Sequence, residues 1–126
     1  MISIDDFKKI EIKIGQILSA EKIPETDKLL KLSVDFGLKL QSSSLDLNNL
    51  VEKDIRQIIS GVASYFPNPE SLIGKKCAFV TNLEWRKIKG LESQGMILAV
   101  LSGQEETKNF SLLEVDSNIL PGSRIN

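Results

Sequence analysis

The sequence predicts an all-β fold, and three observations carry that expectation. Apolar and polar residues alternate over residues 10–14 and again over residues 30–36, which is the period of a half-buried strand. Continuous apolar runs of strand length follow over residues 77–80 and 96–101. Turn-forming residues separate these segments at short spacing, as in small sandwiches and barrels.

The elements follow in order. Ser3 can cap a short helix over residues 4–9, with Asp6 three residues on in a capping-box-like position. Ile10-Glu11-Ile12-Lys13-Ile14 is a first strand, and Gly15 breaks it. The apolar residues resume out of phase at Ile17 and Leu18, which predicts a bulge or sharp bend at the glycine. Residues 23–27 read as a turn. A second strand places Leu30, Leu32, Val34 and Phe36 on one face and Lys31, Ser33 and Asp35 on the other. Residues 37–40 can extend a hairpin, and residues 41–44 read as a turn. Leu45, Leu47, Leu50 and Val51 fit either a strand or a short helix.

Residues 55–60 are a third strand ended by Gly61. Asn68-Pro69-Glu70 starts a helix of one or two turns, stopped at Gly74. Residues 76–81 and 95–101 are the fourth and fifth strands. A final strand spans residues 110–113, and Pro121-Gly122 marks a late turn. A bent first strand, with a short helix between the third and fourth, is the order of a five-stranded OB-fold barrel. Such barrels bind oligonucleotides or oligosaccharides on an open face. Residues 1–104 are assigned to the barrel. Residues 105–126 are a C-terminal extension, suited to pairing with a second copy of the chain.

Composition narrows the function. With 41% hydrophobic and 26% charged residues the chain is of ordinary globular composition. No apolar run nears the roughly 20 residues of a membrane helix, and the first residues lack the pattern of a signal peptide. No membrane association is expected, and a lone Cys77 suits the reducing cytoplasm. The chain has no histidine, which excludes Ser-His-Asp and Cys-His catalysis and His-ligated zinc. Cys77 lies in an apolar strand, as an inert thiol would. No catalytic residue, metal or cofactor is expected.

The net charge of −1 hides a pattern. Residues 75–89 carry Lys75, Lys76, Arg86, Lys87 and Lys89 against Glu84 alone, a local net of +4 between acidic flanks. Charge alone leaves two readings open: a phosphate-binding edge, or a solvated loop with lysines that blunt a strand edge.

Thr81-Asn82-Leu83-Glu84-Trp85-Arg86-Lys87-Ile88-Lys89-Gly90-Leu91-Glu92-Ser93-Gln94-Gly95-Met96 joins the fourth and fifth strands. It resembles the signature of the tRNA-binding domain family. That family includes the C-terminal domain or detached β subunit of methionyl-tRNA synthetase, the free-standing bacterial tRNA-binding protein, and the endothelial monocyte-activating polypeptide domain. Asp5 with Phe7, the strand to Gly15, Asp27-Lys28-Leu29-Leu30-Lys31-Leu32, Arg56-Gln57-Ile58-Ile59-Ser60-Gly61-Val62-Ala63 and Pro121-Gly122-Ser123-Arg124-Ile125 match other pieces in order. The Arg-Gln-Ile-Ile-Ser-Gly run and the Ser-Gln-Gly-Met ending are specific.

The resemblance implies a non-catalytic OB-fold module that binds tRNA by shape and backbone and raises a synthetase's affinity for it. It implies as partners tRNA, the methionyl-tRNA synthetase catalytic chain and a second copy of the chain. Carried over position by position, the binding candidates are Lys28, Lys31, Asn82, Arg86, Lys87, Lys89, Ser93 and Met96. Arg86, Lys87 and Lys89 would meet phosphates without reading bases. Asn82 and Ser93 offer hydrogen bonds to phosphate or a 2′-hydroxyl, although Asn82 also suits a turn. Met96 can pack on a base, but an apolar strand favours the core for it.

Where the family usually has a proline, this chain has Glu84-Trp85. Trp85 suits a stacking platform for an exposed nucleotide, or packing onto the barrel or a partner. Glu84 opposes phosphate. The stretch over residues 38–54 is longer than the family's usual turn. Two other readings share the fold: a CsaA-like peptide-binding chaperone, and a docking module of a synthetase complex. The Thr-Asn-Leu and Ser-Gln-Gly-Met pieces favour RNA.

Overall fold

The computed structural model describes residues 1–40, 51–104 and 109–126. The protein is an OB-like barrel built on one strongly curled antiparallel sheet. The chain runs through α1 (Ile4–Phe7), β1 (Ile12–Lys22), β2 (Leu30–Leu40) and β3 (Val51–Ser60). Two 3-10 turns (Ala63–Tyr65 and Pro69–Leu72) lead to β4 (Lys76–Val80), β5 (Arg86–Ile88), β6 (Leu91–Ser93) and β7 (Met96–Ile97). β8 (Ala99–Ser102) and β9 (Asn109–Leu112) complete it. The sheet order is β3-β2-β1-β4-β7, with β5-β6 and β8-β9 as separate hairpins.

The alternation in β2 is realised. Leu30, Leu32, Val34 and Phe36 are buried and meet Ile17, Ile58, Leu72, Cys77 and Phe79 in one core. Ser3 caps α1 by accepting the Asp6 N–H at 3.1 Å, and the helix ends at Phe7, two residues early.

Four expectations need correction. β1 does not break at Gly15. It runs through the glycine, and its register shifts later, between Ile17 and Ser19. Leu18 is left exposed there, which accounts for the change of apolar phase. Gly15 instead permits close packing: a Cβ there would stand 2.5 Å from Val34 Cγ1 and 2.7 Å from Phe36 Cε1. The first strand begins at Ile12, and Ile10 is exposed.

The helix expected after Asn68 is a single 3-10 turn, and the Asn68 side chain makes no capping bond. The apolar run expected as a fifth strand divides. β7 pairs with β4, whereas β8 leaves the sheet to pair with β9 and exposes Val100 and Leu101. Residues 37–40 do extend the β2–β3 hairpin, with Leu38 opposite Lys53 and Leu40 opposite Val51. The turn and strand-or-helix readings of residues 41–50 lie outside the described residues.

The last residues cross back over the barrel. Ala78 N–H donates to Leu113 O and Val115 N–H to Lys76 O, both at 3.0 Å. Further on, Ile14 N–H donates to Ser123 O at 2.8 Å and Ile125 N–H to Ile12 O at 2.9 Å. The tail thus satisfies backbone groups of β1 and β4 where the sheet leaves them open.

Candidate nucleic-acid interface

The basic segment 75–89 divides into two sets with different work. Lys75 pairs with Glu114 at 3.1 Å, and Lys76 Nζ donates to Ser117 O and Ile119 O at 2.6 Å each. Those two lysines hold the tail. Arg86, Lys87 and Lys89 are exposed and have no ion pair among the described residues.

These three cations stand on the β5–β6 hairpin, which pairs Arg86 with Ser93 and Lys87 with Glu92. Its two-residue tip is Lys89-Gly90, with φ of 53° and 79°. Two successive positive φ values are the signature of a type I′ turn, whose twist matches the flanking strands. Glycine takes this conformation readily, but a lysine there is strained. Such strain concentrates at functional sites.

A half-buried latch holds both ends of the segment between β4 and β7. Arg56 on β3 grips Asp54 through Nε and Nη2 at 3.1 and 3.2 Å. Its Nη1 donates to Thr81 O at 2.6 Å and to Gln94 O at 3.1 Å, and the guanidinium lies 5.4 Å from the Phe36 ring centroid. Gln57 and Gln94 interlock. Gln57 N–H donates to Gln94 Oε1 at 2.9 Å, Gln94 N–H donates to Gln57 O at 2.8 Å, and Gln57 Nε2 donates to Glu92 O at 2.9 Å. The two most specific sequence runs therefore meet each other.

The side chains singled out from sequence fall into three groups. Ser93 and Asn82 are engaged by the fold. Ser93 is buried, and its hydroxyl accepts the Ile59 N–H at 3.0 Å and donates to Gly95 O at 3.2 Å. Asn82 Oδ1 accepts the Glu11 N–H at 2.8 Å, and its Nδ2 donates to Lys9 O at 2.7 Å. It ties the chain before β1 to the end of β4 rather than shaping a local turn. Beside it, the Thr81 hydroxyl donates to Glu11 Oε1 at 2.6 Å and holds that carboxyl below its ordinary range.

Arg86 and Met96 share a cleft with Leu83, Glu84, Ser93 and Gly95. The core expectation for Met96 fails: it is 43% exposed, because β7 turns Ile97 inward and Met96 outward. Trp85 is 55% exposed and does not fold into the core. Lys28 and Lys89 line a second cleft with Glu25 and Asp27. Lys31 lies on the polar face of β2, 3.9 Å from Glu21. Its register partner Ile59 is the residue that donates to Ser93, so Lys31 stands beside the base of the hairpin.

Sequence reasoning assigned no role to Arg56, Gln57 or Gln94. The signal was present, because all three lie in the specific runs. Cys77 is fully buried, and burial pushes its thiol up to about 11. Among the described residues no cluster of three acidic or cysteine side chains could hold a metal, and no helix is long and apolar enough to cross a membrane.

The family model described as "Putative tRNA binding domain" matches residues 12–124. The chain belongs to this tRNA-binding domain family. It is 41% identical over 124 residues to methionine–tRNA ligase of Thermotoga maritima and 43% identical to that of Methanospirillum hungatei. These matches cover 98% of the chain but only 16% and 15% of the ligases. The similar portion is their C-terminal tRNA-binding region.

The solved structure of a methionyl-tRNA synthetase-related protein from Pyrococcus horikoshii superposes with a TM-score of 0.76 at 38% identity, covering 99% of this chain and 97% of that one. The CsaA chaperone of Picrophilus torridus superposes at 0.74 with 26% identity over the whole of both chains. The residues matched by the family model include both the hairpin and Arg56.

Proposed function

We propose that the chain is a non-catalytic tRNA-binding module of methionyl-tRNA synthetase. It acts either as the C-terminal domain or as a separate β subunit, in the cytoplasm. It raises the affinity of the catalytic chain for tRNA and contributes no reacting group. The observation that carries this reading is the exposed trio Arg86, Lys87 and Lys89 on a hairpin flanked on both sides by carbonyls that half-buried Arg56 grips. Unpaired cations on a rigid support meet phosphates at little cost in ordering. Lys28 and Lys31 extend the surface, Trp85 offers a stacking face, and Met96 an apolar one.

Binding through phosphates releases counterions and is salt-sensitive. Filter binding at low salt should show tRNA affinity. Replacing Arg86 and Lys87 together by Ala should weaken binding of different tRNAs about equally and flatten the salt slope by about 2. Absence of tRNA binding at low salt would sink the reading.

The chain also pairs with a second copy in this reading. The support is apolar: Leu120 is 73% exposed, and Ile2, Ile4, Leu101 and Val100 are exposed too. Scattered apolar residues are ordinary, but Leu120 stands in the C-terminal extension suited to pairing with a second copy. Light scattering should give a dimer for the full chain and a monomer for Leu120→Asp. A dimer that persisted in this variant would place the contact elsewhere.

A CsaA-like chaperone is the second reading, favoured by the full-length superposition on the Picrophilus torridus protein. Competition between an unfolded polypeptide and tRNA separates the two. Displacement of tRNA by the polypeptide favours the chaperone. A docking role in a synthetase complex is compatible with RNA binding and is tested by co-purification with a synthetase chain that lacks this domain.

A further inference from the structure

The cleft lined by Leu83, Glu84, Arg86, Ser93, Gly95 and Met96 measures about 410 Å³. That is within the range of small-ligand sites. Its apolar part is Leu83 and Met96, 47% and 43% exposed, and a thioether packs well on an aromatic face. Its polar part is two opposite charges, Glu84 and Arg86, neither of them in an ion pair or hydrogen bond among the described residues. Ser93 contributes no free group, since its hydroxyl is engaged by Ile59 and Gly95.

A carboxylate is out of place on a surface that meets only phosphates. It costs affinity by repulsion, and it can do nothing but accept hydrogen bonds. The two charges together match one nucleotide: a phosphate on the guanidinium and a donor-bearing base edge on the carboxylate. Among the four RNA bases, guanine presents two adjacent donors, the ring N1–H and the exocyclic N2 amine. They match the two oxygens of one carboxylate. Uracil presents a single N–H between two carbonyls, which repel a carboxylate.

We propose that this cleft takes one unpaired guanosine of a bound RNA. Leu83 and Met96 pack on the base, Arg86 meets its phosphate, and Glu84 accepts from N1–H and N2–H. The inference rests on the RNA-binding reading above and adds a local base preference to an otherwise shape-directed contact. Unpaired bases are the ones a protein can read on this edge.

The test is competition against labelled tRNA by short oligouridines that carry one central residue: guanosine, inosine or uridine. Inosine lacks only the N2 amine. The guanosine oligomer should compete about tenfold better than the uridine one, the size of a bidentate charge-assisted contact, with inosine in between. Glu84→Gln should bring the three together. Glu84 is exposed, so this change leaves the fold intact. Equal competition by all three, competition by none, or a uniform gain in the variant overturns the proposal while tRNA binding stands. Loss of tRNA binding by the unaltered protein overturns the parent reading instead.

Discussion

Arg56 shows how one side chain can decide whether a surface is ordered. Its guanidinium satisfies two carbonyls at opposite ends of the segment between β4 and β7. Its partner Asp54 is about as buried as it is, with side-chain exposures of 17% and 15%. Removing the cation strands Asp54 and both carbonyls. Arg56→Met should cost about 3 kcal/mol in chemical denaturation and should weaken tRNA binding with Arg86, Lys87 and Lys89 all present. Lysine should not rescue it, because a point charge cannot reproduce the planar fork. At Lys89 the balance is reversed. The residue sits at φ 53°, where asparagine fits better. Lys89→Asn should raise stability by about 1 kcal/mol and lower the salt slope of tRNA binding by about 1. A melting curve beside a salt titration reads both. The exposed cations were legible in the sequence because polar loops keep charges in water. Arg56 was legible only as a member of a specific run, since nothing in a strand pattern says that a charge turns inward.

Elements were legible where one strong period governed them. β2 alternates without interruption, and its four apolar residues are all buried. β1 was harder, because its bulge near Leu18 shifts the phase three residues after the glycine blamed for it. Gly15 answers to a packing need that only the neighbouring strand reveals. Gly15→Ala should cost about 1–3 kcal/mol, as overpacking does, measured by thermal or urea unfolding. The Met96–Leu101 run failed for a related reason. A continuous apolar stretch cannot say which residues face which sheet, and here it serves two, turning at Leu98 between β7 and β8. Of the residues nominated for binding, Ser93 anchors the hairpin to β3, and Asn82 ties the chain before β1 to the end of β4. Their hydroxyl and amide meet backbone groups, so Asn82→Ala should lower stability by about 1–2 kcal/mol through two lost hydrogen bonds. Hydrogen exchange at the Glu11 amide should rise with it.

At the scale of the whole molecule the tail and the core bear on stability. The tail bonds to β1 and β4, and Leu112 lies in the core, so a cut near Gly103 would remove core and tail together. Point changes at Leu120 are the cleaner probe of association. Cys77 is raised from an ordinary value of 9.0 to about 11, chiefly by burial. Its neutral form is therefore favoured in the folded state. The contribution to stability is complete below pH 9 and is lost as pH rises through 11. A thiol reagent at pH 8 should react only as fast as the chain unfolds. Glu11 runs the other way. Its lowered pKa contributes stability above its ordinary value of 4.5 that is lost on acidification, and Thr81→Val should flatten that acid limb. The sequence alone determined an all-β barrel without histidine chemistry, because strand period and composition are local properties. It also located the basic segment. Which lysines of that segment are free, and which hold the tail, followed only from contacts between residues far apart in the chain. Folding spent Lys75 and Lys76 on the tail and left Arg86, Lys87 and Lys89 exposed, a division that no local pattern encodes.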